Sequence, residues 1–467
     1  MSTEDHGDAF AIVGAGPAGL VTARAFMNYG LEVDLYERHS AIGGIWDIEN
    51  PGSPLYRSCH FISSRDYGAF FDFPMPREYP MYPKWHQIRD YIRSFAEHYG
   101  IEEKVRFNSN VVGVAPVETD SGERWQLTLE NGEAHIYRGV ISAGGGQWKP
   151  VIPHWPGEER FRGTIIHSSE YHDPSELEGK TVLVVGAGNS GVDIAADASQ
   201  RAERAFLTTR RGYWFLPKLA YGRPVGDLLQ GLIPDEELPA PLRGRTPPEI
   251  IALVMESVIG DVTNYGLPEP DHEFGQTHPI TNFEVIHALG HGTLEYRRNL
   301  ERFTDTGAVF SDGREEQIDL VILATGYDLS LPWIDEELVD RVDEIPQFHL
   351  GTLVQGAQGL YGAGVLHFAG NTFPVFDQFI QVAAAEASAL VNGEDLAKFR
   401  EIREELNPSF KEDDTFLDVR RNANHVDIAA VNRYFETLEA RFGIPVPSFA
   451  APGFYAALEE RLRARAA

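Results

Sequence analysis

A chain of 467 residues is long enough for two or three domains with a large buried core. Its 40 Lys and Arg against 70 Asp and Glu give a formal charge of −30, which disfavours sequence-independent binding to nucleic acid or anionic lipid, because both demand a cationic face. The single cysteine, Cys59, excludes an intramolecular disulfide, a Cys-x-x-Cys redox pair and a cysteine zinc cage, and fits a cytoplasmic protein.

The N-terminal MSTEDHGD is acidic and lacks the basic start and apolar core of a secretory signal. No apolar run approaches the about 18 residues of a membrane span, so no membrane contact is expected, and with a single cysteine no metal site is expected either. Phe10 to Val13 then reads as a short buried strand, followed by Gly14, Gly16 and Gly19 in Gly-x-Gly-x-x-Gly spacing and a helix from Leu20 to Tyr29. In this context the first glycine permits a tight turn and the second lets the backbone approach a pyrophosphate. The third lets helix and strand pack closely, so that the helix N-terminus aims at the phosphates. A second strand, Glu32 to Tyr36, ends at Glu37, a carboxylate positioned for ribose hydroxyls. This first site reads as one for resident FAD.

A strand-rich stretch follows, VVGVAPV, RWQLTLENG and HIYRGVISAGGG, with Asn131-Gly132 as a hairpin turn. The Gly- and Pro-rich ISAGGGQWKPVIPHWPG marks a crossing into a second domain near residue 151. There the nucleotide pattern recurs, with Thr181 to Val185 as the strand and Gly186, Gly188 and Gly191 as the turn. Glu37 lies 37 − 14 = 23 positions after its first glycine, and 186 + 23 = 209 falls on Thr209, followed by Arg210 and Arg211. Guanidinium groups match phosphate where a carboxylate would repel it, so the second site predicts NADPH over NADH. Adjacent strand residues point to opposite faces, which makes Arg210 the first candidate for the 2'-phosphate and Arg211 the second. Two such sites imply hydride delivery from a nicotinamide to a flavin.

A further apolar strand ending in glycine, DLVILATGYD, is read as the crossing back. The expected fold is therefore α/β with two dinucleotide-binding, Rossmann-like domains. The FAD-binding domain is discontinuous, 1–150 and 327–467 with C-terminal helices, and the NADPH-binding domain, 151–326, is inserted between. The final FYAALEERLRARAA reads as an amphipathic helix docked on the fold. A disulfide reductase on the same two domains is excluded by the lone Cys59.

Several blocks resemble those of the flavin-containing monooxygenases, class B flavoprotein monooxygenases. FRGTIIHSSEY, Phe161 to Tyr171, matches their Phe-x-Gly-x-x-x-His-x-x-x-Tyr signature. GGIW (Gly43 to Trp46), DFPMP (Asp72 to Pro76), GNSG (Gly188 to Gly191), TRRG (Thr209 to Gly212) and ATGYD (Ala324 to Asp328) are similar to further blocks. Tyr171-His172 after the signature, in place of Trp-Pro or Trp-Asp, favours the flavin-containing branch over the Baeyer-Villiger branch.

The resemblance implies that NADPH reduces FAD and that the reduced flavin forms a C4a-hydroperoxide with O2. One oxygen atom then passes to a small organic substrate, by N- or S-oxygenation. Baeyer-Villiger oxygenation of a ketone or aldehyde, and NADPH oxidation with release of hydrogen peroxide, are the alternatives. Gly44 and Trp46, with Gly43, are expected to line the flavin, and Asn189 and Ser190 to join Gly186, Gly188 and Gly191 around the NADPH pyrophosphate. His167, with Tyr327 beside the return crossing, is expected to hold the linker geometry rather than handle protons. The family carries an Asn in a Thr-Asn-x-Ser-Lys stretch before DFPMP, and matching LYRSCHFISSRDYGAFFDFP to it puts Ile62 at the Asn, with His60 and Ser63 as candidate replacement donors. His278 and Asn282 are candidates near the nicotinamide or substrate channel. Gln378 and Gln381 are expected to open a helix pointing toward the flavin ring. A homodimer is the expected assembly.

Overall fold

The computed structural model describes residues 3–466 except 343, 368–369, 407–415, 418, 420–421 and 423–424. Two five-stranded parallel sheets organise it. The first has the spatial order 360–362, 139–142, 10–13, 33–36, 105–106. Its central strand, Phe10–Val13, is buried throughout, as a parallel strand covered on both faces must be. Alternate residues serve different layers. Phe10 and Ile12 pack with the helices Pro17–Asn28, Trp85–His98 and Thr372–Val391, whereas Ala11 and Val13 face Trp125, Leu127 and Tyr137. The latter belong to a smaller sheet of strands 3–5, 134–137, 122–129 and 111–119. The Asn131-Gly132 turn joins two of its strands, with Gly132 at φ 86°.

The second parallel sheet has the order 164–167, 320–323, 181–185, 204–209, 295–298. It repeats the layering. Val182 and Val184 pack on the side of helices Asn189–Arg201 and Glu284–His291, while Leu183 and Val185 meet Phe303, Ala308 and Phe310 of an antiparallel three-stranded sheet. The chain passes between the two sheets twice, and the two passes pair with each other: Lys149–Pro150 runs antiparallel to Tyr327–Asp328. Residues 220–254 add a satellite apolar cluster, built from helices Val225–Leu229 and Pro247–Val254.

The first nucleotide helix starts at Pro17, three residues before the expected Leu20, because Gly16 takes the cap position and Pro17 supplies a helical φ without an N–H to satisfy. Among the described residues no helix is long and apolar enough to cross a membrane. The last helix spans Phe454–Ala466.

Candidate functional site

The two glycine turns have the same construction. Gly14 and Gly186 both sit at φ 108°, and a Cβ at either would strike a carbonyl of the neighbouring strand end, Ala143 O at 2.6 Å or Ala324 O at 2.5 Å. A Cβ on Gly19 would lie 1.9 Å from Gly14 O, and one on Gly191 2.1 Å from Gly186 O. The first and third glycines are thus required by backbone packing alone. The second glycines differ: a Cβ on Gly16 would lie 3.4 Å from Gly44 Cα, whereas one on Gly188 would meet no neighbouring atom within 4 Å among the described residues. Both cap their helices with no side chain on the first-turn N–H groups, leaving donors and a positive helix end for an anion.

Around the first turn, Glu37 is buried and its carboxylate accepts from Ala15 N at 2.8 Å and His39 N at 2.9 Å. Each oxygen accepts one of these bonds and retains capacity for a ribose hydroxyl. Gly43 and Gly44, at φ 150° and 58°, fold the loop back onto the turn, where Asn50 Nδ2 donates to Gly44 O at 3.1 Å. Asn50 Oδ1 is buried with no hydrogen-bond partner among the described residues. Trp46 is half-buried and stands edge-on to Phe61, centroids 5.4 Å apart.

At the second turn Asn189 and Ser190 begin the helix, and Asn189 Oδ1 is likewise buried without a partner among the described residues. The adjacent strand separates the two arginines. Arg211 Nε pairs with Asp271 at 3.3 Å, while Arg210 is exposed and forms no ion pair among the described residues. Thr209 is tied down by its hydroxyl, 2.8 Å from Arg211 O and 3.0 Å from Tyr296 Oη. Opposite Thr209 in register lies Arg298, a second exposed guanidinium at the same sheet end. Sequence reasoning missed it, because only the pairing of strand 295–298 with 204–209 brings it there.

The linker residues meet between the sheets. His167 is buried, donates from Nε2 to Gly326 O at 3.2 Å and accepts at Nδ1 from Ser169 N at 3.1 Å. Burial lowers its pKa, which favours the neutral ring, and both nitrogens are occupied. Tyr327 stands edge-on to it at 5.0 Å. A cleft of about 340 Å³ opens beside them, lined by Gly52, Gln147, Trp148, Ser169, His172 and Tyr327.

Residues 56–64 bridge from the first unit onto the second. Tyr56 Oη donates to Asp193 at 3.1 Å, and Tyr171 Oη donates to Asp197 at 2.9 Å, both on the helix Asn189–Arg201. His60 Nε2 lies 2.7 Å from Lys218 Nζ, which is also 3.6 Å from Glu284 and 3.9 Å from Asp193. Asn282 Nδ2 reaches the same Asp193 at 2.6 Å. His60 and Asn282 are therefore gathered into one polar junction. His278 lies apart from it, its Nδ1 2.7 Å from Pro279 O. Ser63 is buried, and Ile62 stands 39% exposed, unusual for so apolar a side chain. The Cys59 thiol is pushed up by burial and is no reactive thiolate.

Gln378 is not at the start of its helix. The helix begins at Thr372, and Gln378 Nε2 donates to Pro447 O at 2.8 Å, while Gln381 is fully buried and donates to Tyr455 Oη at 3.0 Å. Both amides are engaged by the C-terminal segments, because two further helical turns rotate them onto that face.

Comparison with known proteins gives a consistent result. The sequence profile described as flavin-binding monooxygenase-like matches residues 7–350. The chain is 30% identical over 350 residues to dimethylaniline monooxygenase (N-oxide-forming) 2 of Oryctolagus cuniculus, covering 72% of this chain and 64% of that protein. It is 33% identical over 347 residues to flavin-containing monooxygenase 5 of Rattus norvegicus, covering 70% and 63%. The matched part thus spans under two thirds of the length of these relatives. Among solved structures, the flavin-containing monooxygenase from Stenotrophomonas maltophilia aligns with TM-score 0.63 at 22% identity, covering 84% of this chain and 100% of that one. The open form of cyclohexanone monooxygenase aligns with TM-score 0.69 at 16% identity, covering 96% and 100%.

Proposed function

The chain belongs to the flavin-binding monooxygenase-like family, which is FAD- and NADPH-dependent, and on that premise we propose that it is a monooxygenase that oxygenates a small organic substrate at nitrogen or sulfur. The observation that carries the reading is the pair of identically built glycine turns whose neighbouring strands end differently, in buried Glu37 at the first and in exposed Arg210 at the second. Residues 1–150 and 327–467 are assigned to FAD, and residues 151–326 to NADPH.

Gly14, Gly16 and Gly19 would bring backbone N–H groups to the FAD pyrophosphate, Glu37 would accept from its ribose, and Gly43, Gly44 and Trp46 would line the flavin. Gly186, Gly188, Asn189, Ser190 and Gly191 do the same for NADPH, with Arg210 on the 2'-phosphate. When bound, FAD reduced by NADPH supplies the activation of O2 and the transfer of one oxygen atom. His167 and Tyr327 hold the paired linkers and move no proton, since the ring is neutral and already engaged at both nitrogens. The apolar packing of Trp46, Phe61 and Phe373 excludes water on one side of the turn.

Relatives named for N-oxide formation support nitrogen as the acceptor. A second reading, NADPH oxidation with release of hydrogen peroxide, draws support from Ile62, an exposed apolar side chain where the family carries an amide. Baeyer-Villiger oxygenation is the third outcome to be scored. Incubating the protein with NADPH, O2 and a panel of tertiary amines, thioethers and ketones, with products and peroxide quantified together, decides among them. N-oxide or sulfoxide stoichiometric with NADPH is expected, whereas peroxide equal to NADPH with every substrate overturns the leading reading. A cytoplasmic homodimer is the proposed working form, and sedimentation velocity reads its assembly.

A further inference from the structure

The N-terminal strand Thr3–Asp5 runs beside Ala134–Tyr137, and this pairing brings together three side chains that the flavin chemistry does not use. Glu4 Oε2 lies 3.6 Å from His6 Nε2 and 3.3 Å from His135 Nδ1, and the two ring nitrogens are 3.1 Å apart. A tetrahedral zinc ion with bonds of about 2.0 to 2.1 Å holds its ligands about 3.3 to 3.4 Å from one another. We propose that Glu4, His6 and His135 form a binding site for a divalent transition cation of the zinc class, which fastens the N-terminal strand to the first nucleotide unit.

The surroundings fix the tautomers this requires. His6 Nδ1 faces Asp34 Oδ2 at 3.3 Å, so its proton belongs on Nδ1 and the Nε2 lone pair points into the triangle. Asp34 is itself oriented, accepting from Tyr137 Oη at 2.7 Å and from Arg106 Nη2 at 3.4 Å, and the Tyr137 ring stacks on His6 at 4.3 Å. His135 is buried, and its Nε2 has no hydrogen-bond partner among the described residues while Glu133 Oε2 stands 4.0 Å away. If Nδ1 of His135 carried the proton to bond His6, an unprotonated Nε2 would face that carboxylate. With the proton on Nε2 the conflict disappears, and three lone pairs converge on one point. A cation satisfies that arrangement, and a proton shared between the rings is the competitor to a metal ion. Arg106 approaches the same Glu4 oxygen only to 3.8 Å, farther than either ring nitrogen. Two imidazoles and one carboxylate select zinc, nickel or copper over magnesium or calcium.

The test is calorimetric titration of the untagged, flavin-loaded protein with Zn²⁺, beside variants Glu4→Gln, His6→Ala, His135→Ala and Asp34→Asn. One zinc per chain is expected. The affinity should fall at least about tenfold in each ligand variant and by about tenfold in Asp34→Asn, with His154→Ala, an exposed histidine elsewhere, unchanged. Glu4→Gln alters an exposed side chain and keeps the comparison usable if a histidine variant fails to fold. Zinc-edge X-ray absorption should show a four-coordinate nitrogen and oxygen shell containing two imidazoles. Absence of stoichiometric uptake, equal uptake by all variants, or a shell without imidazole overturns the proposal and leaves a shared proton as the occupant.

Discussion

Arg210 and Arg211 are neighbours in the chain and opposites in their surroundings. Arg211 is committed to Asp271, while Arg210 stands exposed beside the register position of Arg298. Replacing Arg210 by Ala should therefore weaken NADPH about tenfold to a hundredfold, the range of a hydrogen bond to a charged group, and leave NADH use unchanged. Steady-state KM for the two nucleotides checks this, and equal losses for both would make Arg210 structural. The sequence offset of 23 residues located this pair, but it could not say which arginine was spoken for, since Asp271 lies 60 residues on. Asp227 carries a second prediction of this size. Burial, with Asp66 adding to it and a hydrogen bond from Ser64 opposing, pushes its carboxyl from 3.8 up to about 6. Between those values the folded chain holds more protons than the unfolded one, so stability falls as pH rises through this window and the loss persists above it. Asp227→Asn should raise stability at pH 7 by about 2 to 3 kcal/mol and flatten that slope, as denaturant midpoints at pH 4, 5, 6 and 7 would register.

At the scale of single elements, the glycine turns were the most legible part of the sequence, because their spacing reports backbone contacts rather than side-chain packing. The strands Phe10–Val13 and Thr181–Val185 fall where their apolar runs indicate. What the spacing hid is that the glycines of one motif do different work. Gly19→Ala drives a Cβ to 1.9 Å from a backbone oxygen, which must part helix from strand, so loss of bound flavin together with a lower melting temperature is expected. Gly188→Ala meets no atom, so the fold should hold and only the close approach of a pyrophosphate should suffer. A raised KM for NADPH with an unchanged melting temperature would fit. A melting temperature that drops as far as that of the Gly19 variant would show the two positions to be equivalent. The helix Thr372–Val391 shows the limit of such reading. Its apolar run marks it as buried, yet the direction of Gln378 and Gln381 depends on C-terminal segments that no local pattern announces.

The whole molecule depends on contacts between residues far apart in the chain, the class least visible in a sequence. Arg24, on the first nucleotide helix, reaches Asp377 on the helix Thr372–Val391, and Tyr455 near the C-terminus joins them, donating to Asp377 and stacking under the guanidinium at 3.9 Å. Both charged side chains are buried, and Arg24 also donates to Phe71 O at 2.7 Å. Nothing in periodicity or composition marks an arginine in an apolar helix as one half of a pair 353 residues away. Charges taken out of water are stabilising only while paired, because either one alone keeps its desolvation cost without the attraction that offsets it. Asp377→Leu or Arg24→Met alone should therefore lower the stability of the flavin unit by about 3 to 5 kcal/mol. Combining Arg24→Met with Asp377→Leu should recover most of that loss, since the double variant leaves no buried charge. Arg24 and Asp377 sit on helices that pack with the first parallel sheet, whereas the second sheet packs with helices Asn189–Arg201 and Glu284–His291, so NADPH binding should survive conditions under which the single variants release flavin. Chemical denaturation followed separately by flavin fluorescence and by NADPH protection measures both. If the double variant is as unstable as the singles, Arg24 contributes through its contacts with Phe71, Phe95 and Tyr99 rather than through its pairing with Asp377.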